Sequence, residues 1–482
     1  MRTPTAWIEM LASSYKRLSN SLAIAIIVMI FALLIVEYLY YGPEWDLIAH
    51  YLNAKSILNG AFYTCFFTTR CIYNVDNSAI YFEPFRAPLS SAIIAIFIIV
   101  FKGYAIIAYL CFVLLLFIAS IYFIAKYMEL DALLAIALFA TPFMLLYSLL
   151  SNGTEMLSLS FALLGMALLA RKSPASGLLF GIASISKYIM LILFPLLLLL
   201  YKPKKIAIGL LLFFVPIIPW LIVSKIALGG YFASYFEIYS IASSSIFSKG
   251  ISTYALGAIF ASSAALGATA FAVMLFADRL KNAKKLFAKI AKNENFKIAV
   301  AFLALSALSY VAIAYKKDVF TQMRFGYALH GALSLAIAVP LSMLAKNKKY
   351  NIMPLAIAAV LILIIGYNFY HLYSIFPYKP ALSVRNPVFE SAINELNALG
   401  YGNCNVVSND WIYMLYFGAH AFSPFSNFTS YPIVVFYNNT ASTSPSFIKN
   451  LALSTPIYKS SNYSIMLPLN FSCVTAPPEV AR

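Results

Sequence analysis

Two acids, Glu44 and Asp46, open the stretch YGPEWDLIAHYLNAKSILNG (Tyr41 to Gly60), directly after about twenty apolar residues. Read as a helix, DLIAHYLNAKSIL sets Asp46, His50 and Asn53 on one face at i, i+4 and i+7. Leu47, Tyr51, Ala54 and Leu58 then form an apolar face about 100° away. A helix of this pattern lies in the membrane plane and turns its polar stripe to a cavity. Asp46 is thereby held at the lipid–water boundary, where partial desolvation favours a raised pKa. A carboxylate so placed can take a proton from an attacking hydroxyl. A solvated loop with a Pro-started helix has the same periodicity, so the chemical reading needs partners.

Cations supply them. In YFEPFRAPLSS (Tyr81 to Ser91), Glu83 and Arg86 stand three apart, punctuated by Pro84 and Pro88, which makes a rigid polar turn or a local ion pair. Lys187 lies in an otherwise apolar hairpin, where a lysine either snorkels or meets an anion. YKKDVFTQMRFGYALH (Tyr315 to His330) brings Lys316, Lys317 and Arg324 to the outer mouth of two spans. An arginine there can grip a phosphate with a fork of donors. A base, a set of cations and a lipid-accessible cavity on one side of the membrane suit transfer from a lipid phosphate. His330, within a late span, reads as an interhelical hydrogen bonder or a proton relay.

The chain that must hold these groups has 482 residues, 62% hydrophobic and only 11% charged, against roughly 25% charged in a soluble protein. Several apolar runs reach the ~20 residues that cross a ~30 Å hydrocarbon layer, so the class is an all-α polytopic membrane protein. The net charge of +17 fits Lys- and Arg-rich cytoplasmic loops. No nucleic-acid module is visible, and no Gly-rich loop that would cradle a nucleotide phosphate. Met1 to Asn20 leads into an apolar run too long for a signal-peptide core, which predicts a retained first span.

Spans are predicted near 21–41, 104–125, 132–150, 154–170, 206–224, 251–277, 298–315, 326–344 and 352–373. Two further segments set the topology. APLSSAIIAIFIIVFKG (Ala87 to Gly103) has an apolar part of about 14 residues, short for a crossing, and is expected to lie at the outer surface. A crossing there would turn the basic run DRLKNAKKLFAKIAKNENFK (Asp278 to Lys297) outward. SGLLFGIASISKYIMLILFPLLLLLYKPKK (Ser176 to Lys205) is flanked by Arg171 and Lys172 and contains Lys202, Lys204 and Lys205 at its end. Both flanks favour the cytoplasm, so the segment is a hairpin with Lys187 at its tip and limbs of only about 18 Å if α-helical. The count is then about eleven spans, with the N-terminus cytoplasmic and the C-terminus outside.

Residues 1–373 therefore form the transmembrane part, and 374–482 a small extracytoplasmic α/β domain. In the latter, CNVVS (Cys404 to Ser408) and YPIVVFY (Tyr431 to Tyr437) read as strands, and NPVFESAINELNALG (Asn386 to Gly400) as an amphipathic helix closed by glycine. Glycosylation sequons stand at Asn152, Asn427, Asn438, Asn462 and Asn470. Of five cysteines, Cys65 with Cys71 and Cys404 with Cys473 could pair outside the cell, leaving Cys111 in a span.

The order of these pieces resembles the GT-C superfamily of polyprenyl-phosphate-sugar-dependent glycosyltransferases, which includes protein O-mannosyltransferases and bacterial aminoarabinose transferases. The likeness lies in a first span followed at once by GPEWDLIAHYLNAKSILNG and YFEPFRAPLSSAI. It continues through SNGTEMLSLSFALLGMALLARKSPASGLLFGIASISKYIMLILFP (Ser151 to Pro195) and MRFGYALHGALSLAIA (Met323 to Ala338). The resemblance implies that Asp46, or Glu44 beside it, is the catalytic base. It implies that Lys187 and Arg324, with Arg86, meet the donor phosphate, although Phe325 and Gly326 part Arg324 from Tyr327. Glu155 corresponds to a supporting acid, with His50, Asn53 and Glu83 near the substrate.

The implied reaction moves a sugar, a hexose such as mannose, from a polyprenyl or dolichyl phosphate to a hydroxyl on a glycan, lipid or protein acceptor, with inversion. It requires no cofactor, and metal dependence is not implied, since Glu44 and Asp46 at i, i+2 point to different helix faces. The alternative class is a membrane transporter or a flippase for lipid-linked saccharides, against which stands the lack of an internal repeat.

Overall fold

In the computed structural model of the chain, residues 21–32, 34, 35, 38, 43, 45–59, 86–140, 153–235, 283–314, 326–345, 387–408, 410–416, 419, 421, 422, 433–437, 454–468, 471 and 473 are described. A backbone in hydrocarbon must satisfy every N–H and C=O internally, so apolar runs become helices. These are α1 (Ser21–Ala32), α3 (Pro88–Phe101), α4 (Ala105–Tyr127), α5 (Ala132–Ala140), α6 (Thr154–Ala170), α7 (Ser176–Ser186), α8 (Pro203–Leu228), α10 (Glu294–Ala314) and α11 (Tyr327–Ala345). Between them lie α2 (Trp45–Leu58) and the basic α9 (Ala283–Lys292). Among the described residues, three helical stretches, Pro88–Tyr127, Pro203–Ile226 and Glu294–Val311, are long and apolar enough to cross a membrane. The expected spans near 251–277 and 352–373 lie outside the described residues.

Chain contacts divide the molecule into two compact units. The first comprises Met1–Val36, Leu110–Leu221 and Tyr235–Pro377; the second comprises Glu37–Tyr109, Ile222–Ser234 and Tyr378–Arg482. A single boundary was expected at 373. The first-loop helices α2 and α3, however, belong with the C-terminal residues.

In the first unit, small residues let helices approach closely. A Cβ on Gly177 would collide with the Gly209 carbonyl of α8, and one on Gly181 with the Phe213 carbonyl. Helix α7 stops at Lys187, whose backbone is extended, and Tyr188–Leu200 continues as a 3-10 helix packed against α7. This departs from the α-helical hairpin limb expected from the sequence. At about 2.0 Å per residue the 3-10 form makes the second limb about 26 Å long, which answers the shortage of length in an α-helical limb. The segment is interrupted by Pro195, which could not serve an i→i−4 ladder in any case.

At the C-terminal end of α6, Lys172 adopts φ 52° where a helix normally ends on glycine. The Ser173 N–H bonds the Leu168 carbonyl and the Lys172 N–H that of Leu169, closing a Schellman turn. That strained position carries the Lys172 Nζ to the Glu294 carboxylate at 3.4 Å and over the Tyr201 ring at 4.3 Å. Tyr201, also left-handed at φ 62°, donates to the same carboxylate at 3.0 Å.

His330 is buried, and it hydrogen-bonds Ser334 one turn further along the same helix, α11. Ser334 Oγ donates to the Leu138 carbonyl of α5 at 3.0 Å and sits 2.8 Å from His330 Nε2. A hydroxyl has one proton, so His330 must donate through Nε2.

In the second unit, the described residues from 387 onward include a mixed sheet and two helices. Its strands are β1 (Val406–Ser408), β2 (Ala421–Phe422), β3 (Ile433–Tyr437), β4 (Ser454–Lys459) and β5 (Tyr463–Pro468), in the order β2-β1-β3-β5-β4. β1 runs parallel to β2 and β3, with Ser408 opposite Val435; β5 is antiparallel to β3 and β4. Helix α12 (Pro387–Ala398) ends at Gly400, whose φ of +80° explains the glycine. Helix α13 (Trp411–Tyr416) follows β1. Cys404 is bonded to Cys473, with Cα atoms 5.1 Å apart, and Cys111 is free. Cys65 and Cys71 lie outside the described residues. Of the sequons, Asn462 lies on an exposed turn, and the other four fall outside the described residues.

Candidate functional site

Helix α2 starts at Trp45, with Asp46 in its first turn, where a negative charge favours the helix dipole. Its setting corrects the expectation of a surface helix with its apolar face on lipid. Ile48, Ala49 and Leu52 are buried in one core with Phe389, Ala392, Tyr413, Met414, Ile433 and Val435. The polar stripe is buried as well, His50 being 4% and Asn53 3% exposed, whereas Leu58 is 40% exposed. The physical reason is a second apolar stripe at 48, 49 and 52. Together with Leu47 and Ala54 it gives the helix apolar residues on more than one face, so that packing against protein buries more of them than one lipid-facing side could.

Asp46 remains partly open, and its partner is Arg86. Nη1 donates to Oδ1 at 2.9 Å, with side-chain exposures of 12% for the arginine and 23% for the acid. Arg86 was expected at the donor phosphate; here its charge is directed to the acid. An opposite charge at this distance favours the ionised carboxylate, opposing the effect of partial desolvation.

Behind this pair, His50 Nδ1 lies 2.9 Å from Ser91 Oγ of α3, and Tyr109 donates to Ser90 Oγ at 2.9 Å. These bonds fix α2, α3 and the start of α4 to one another. Tyr51 meets Tyr416 edge-on at 5.6 Å. Burial pushes both phenols above their usual range.

The first unit carries the second group. Lys187, at the break between α7 and the 3-10 helix, places Nζ 2.8 Å from Glu155 Oε1 and 3.4 Å from Thr154 Oγ1. Glu155 is wholly buried in the first turn of α6, and Lys187 keeps 21% of its side chain exposed. A buried acid persists in apolar surroundings only when paired and hydrogen-bonded, and Thr154 Oγ1 supplies the second bond, to Oε2 at 2.9 Å. One turn on, Ser158 Oγ lies 3.1 Å from Tyr327 OH of α11. Next to Lys187, Tyr188 OH accepts from Trp220 Nε1 at 2.6 Å, and its ring lies 4.1 Å from that of Tyr235.

No protein-family model and no curated protein sequence matches this chain. A solved structure does: ArnT from Cupriavidus metallidurans bound to undecaprenyl phosphate, with a TM-score of 0.53 at 12% sequence identity. The match covers 96% of this chain and 98% of that one. The chain has the GT-C fold.

Within this GT-C fold, Glu44, Glu83 and Arg324 lie outside the described residues, and Asp46, Arg86, His50, Asn53, Lys187 and Glu155 lie within them. The structure joins Asp46 to Arg86 and Lys187 to Glu155. Sequence reasoning missed the pairing of Arg86 with an acid forty residues away, because its nearer candidate was Glu83. It also missed Trp220 and Ser91, since a lone Trp in a span and a Ser in an apolar helix carry no periodic signal.

Proposed function

We propose that this GT-C chain transfers a sugar, a hexose such as mannose, from a polyprenyl phosphate to an acceptor hydroxyl. The observation that carries the reading is the end-to-end likeness to a structure with undecaprenyl phosphate bound.

In the proposed reaction Asp46 is the base. Arg86 favours its ionised form, which is the form able to accept a proton. The acceptor oxygen attacks the anomeric carbon from the face opposite the phosphate, its proton passes to Asp46, and the sugar is inverted. Lys187 and Arg324 stabilise the charge that develops on the departing phosphate, and preorganised charge of this kind often dominates catalysis. Arg86 has five N–H donors, so the side chain that holds Asp46 can also address the phosphate. Glu155 and Thr154 hold the Lys187 ammonium in place. His50, Asn53, Glu83 and Glu44 support the same loop, with Glu44 as the alternative base.

The topology that goes with this reading has about eleven spans, a cytoplasmic N-terminus and the C-terminal domain outside. The acceptor is a glycan, lipid or protein presented on that outer side.

The test is to incubate purified protein with a panel of polyprenyl-phosphate sugars and an acceptor pool, and to measure release of the lipid phosphate. Release with one sugar supports the reading. Binding of every lipid sugar with no release from any of them speaks for a carrier of lipid-linked saccharides instead.

A further inference from the structure

We propose that Glu155 is a charge counterweight: it makes the Lys187 site hold the singly charged phosphodiester of the donor at least as well as the doubly charged monoester left after transfer. The inference rests on Lys187 being the cation for the carrier phosphate.

The chemistry sets the problem. In the transfer, the bond from the anomeric carbon to the phosphate oxygen breaks, and its electron pair stays on that oxygen. The acceptor oxygen forms the new bond, and its proton goes to Asp46. The phosphate group therefore passes from one negative charge to two, and a phosphate monoester keeps the second charge above a pH of about 6. A site built only of cations would bind the product more tightly than the substrate and release it slowly.

The structure carries the remedy. Glu155 is 0% exposed, and its Oε1 lies 2.8 Å from the Lys187 Nζ. Thr154 Oγ1 donates to the other oxygen at 2.9 Å, a bond that suits a charged carboxylate. Its place in the first turn of α6 favours negative charge again. An anion that reaches the exposed part of Lys187 comes within a few ångströms of this fixed carboxylate. Repulsion there is poorly screened by water and scales with the anion's charge, so it falls twice as heavily on the dianion. Glu155 touches no reacting atom in this scheme; it acts through Lys187.

The experiment uses the full chain in detergent at pH 8, with undecaprenyl phosphate as the monoester probe and its methyl ester as the diester probe. Glu155→Gln should bind the monoester about tenfold more tightly than the wild type, about 1.4 kcal/mol, and the diester, with half the charge, about threefold more tightly. Equal shifts for the two lipids, or no tightening of the monoester, overturn the counterweight. Should the variant fail to fold, the wild type alone decides. Diester affinity equal to or above that of the monoester supports the proposal, and a measurable preference for the monoester overturns it. A wild type that binds neither lipid removes the donor-site reading and the counterweight with it. Wild-type binding without the predicted preference removes the counterweight alone.

Discussion

Arg86 Nη1 donates to Asp46 Oδ1 at 2.9 Å across forty residues of chain, with both side chains largely shielded from water. Removing the arginine would leave a partly buried carboxylate without that charge partner. Arg86→Ala should lower turnover more than Arg86→Lys, because lysine restores the charge though not the planar fork. Steady-state rates for the two variants check this, and equal losses would assign the effect to the fork alone.

Lys187 and Glu155 should behave as a unit. Lys187→Ala leaves Glu155 buried without its ammonium, a loss of about 3–5 kcal/mol for a buried pair. Adding Glu155→Gln removes the stranded charge, so the double variant should melt above Lys187→Ala. Thermal unfolding in detergent reads both, and additive losses would contradict the coupling.

Close helix contacts separate two glycines. Gly177→Ala should destabilise the first unit, since the new Cβ collides with the Gly209 backbone carbonyl, which cannot rotate away. At Gly103 nothing lies within 4 Å, so Gly103→Ala should leave the melting temperature unchanged or slightly raised.

The Cys404–Cys473 bridge closes a loop with a sequence separation of 69. Cys404→Ser with Cys473→Ser should destabilise the C-terminal domain by about 2–4 kcal/mol. Cys111→Ser, which breaks no bridge, should not. Limited proteolysis of residues 387–473 under increasing denaturant distinguishes the two.

Much of this architecture could be read in the residues, for identifiable reasons. The apolar runs that became α4, α8 and α10 announce themselves by length, because hydrocarbon thickness is a hard constraint. The C-terminal strands at 406–408 and 433–437 are β-branched runs, and the helix closed by Gly400 has both an amphipathic pattern and a stop signal. Lys187 stood out because a cation in an apolar hairpin needs an explanation.

The setting of α2 was harder to read. Its Asp46, His50 and Asn53 stripe marked it as polar on one side, while Ile48, Ala49 and Leu52 pack into a core formed mostly by residues more than 330 positions later. Periodicity records what a helix could bury, not which distant segment covers it. The 3-10 form of Tyr188–Leu200 was hidden for a related reason, since an unbroken apolar run carries no period that separates it from an α-helix.

The central claim is that Asp46 is the base of a polyprenyl-phosphate glycosyl transfer, and release of lipid phosphate measures it most directly. Purified wild type and Asp46→Asn are compared on a donor that the wild type uses, with melting temperatures recorded alongside. The account predicts a loss of 10²-fold to 10⁴-fold in rate, the range for a general base, with the melting temperature and donor affinity retained. Near-normal release by Asp46→Asn would contradict it.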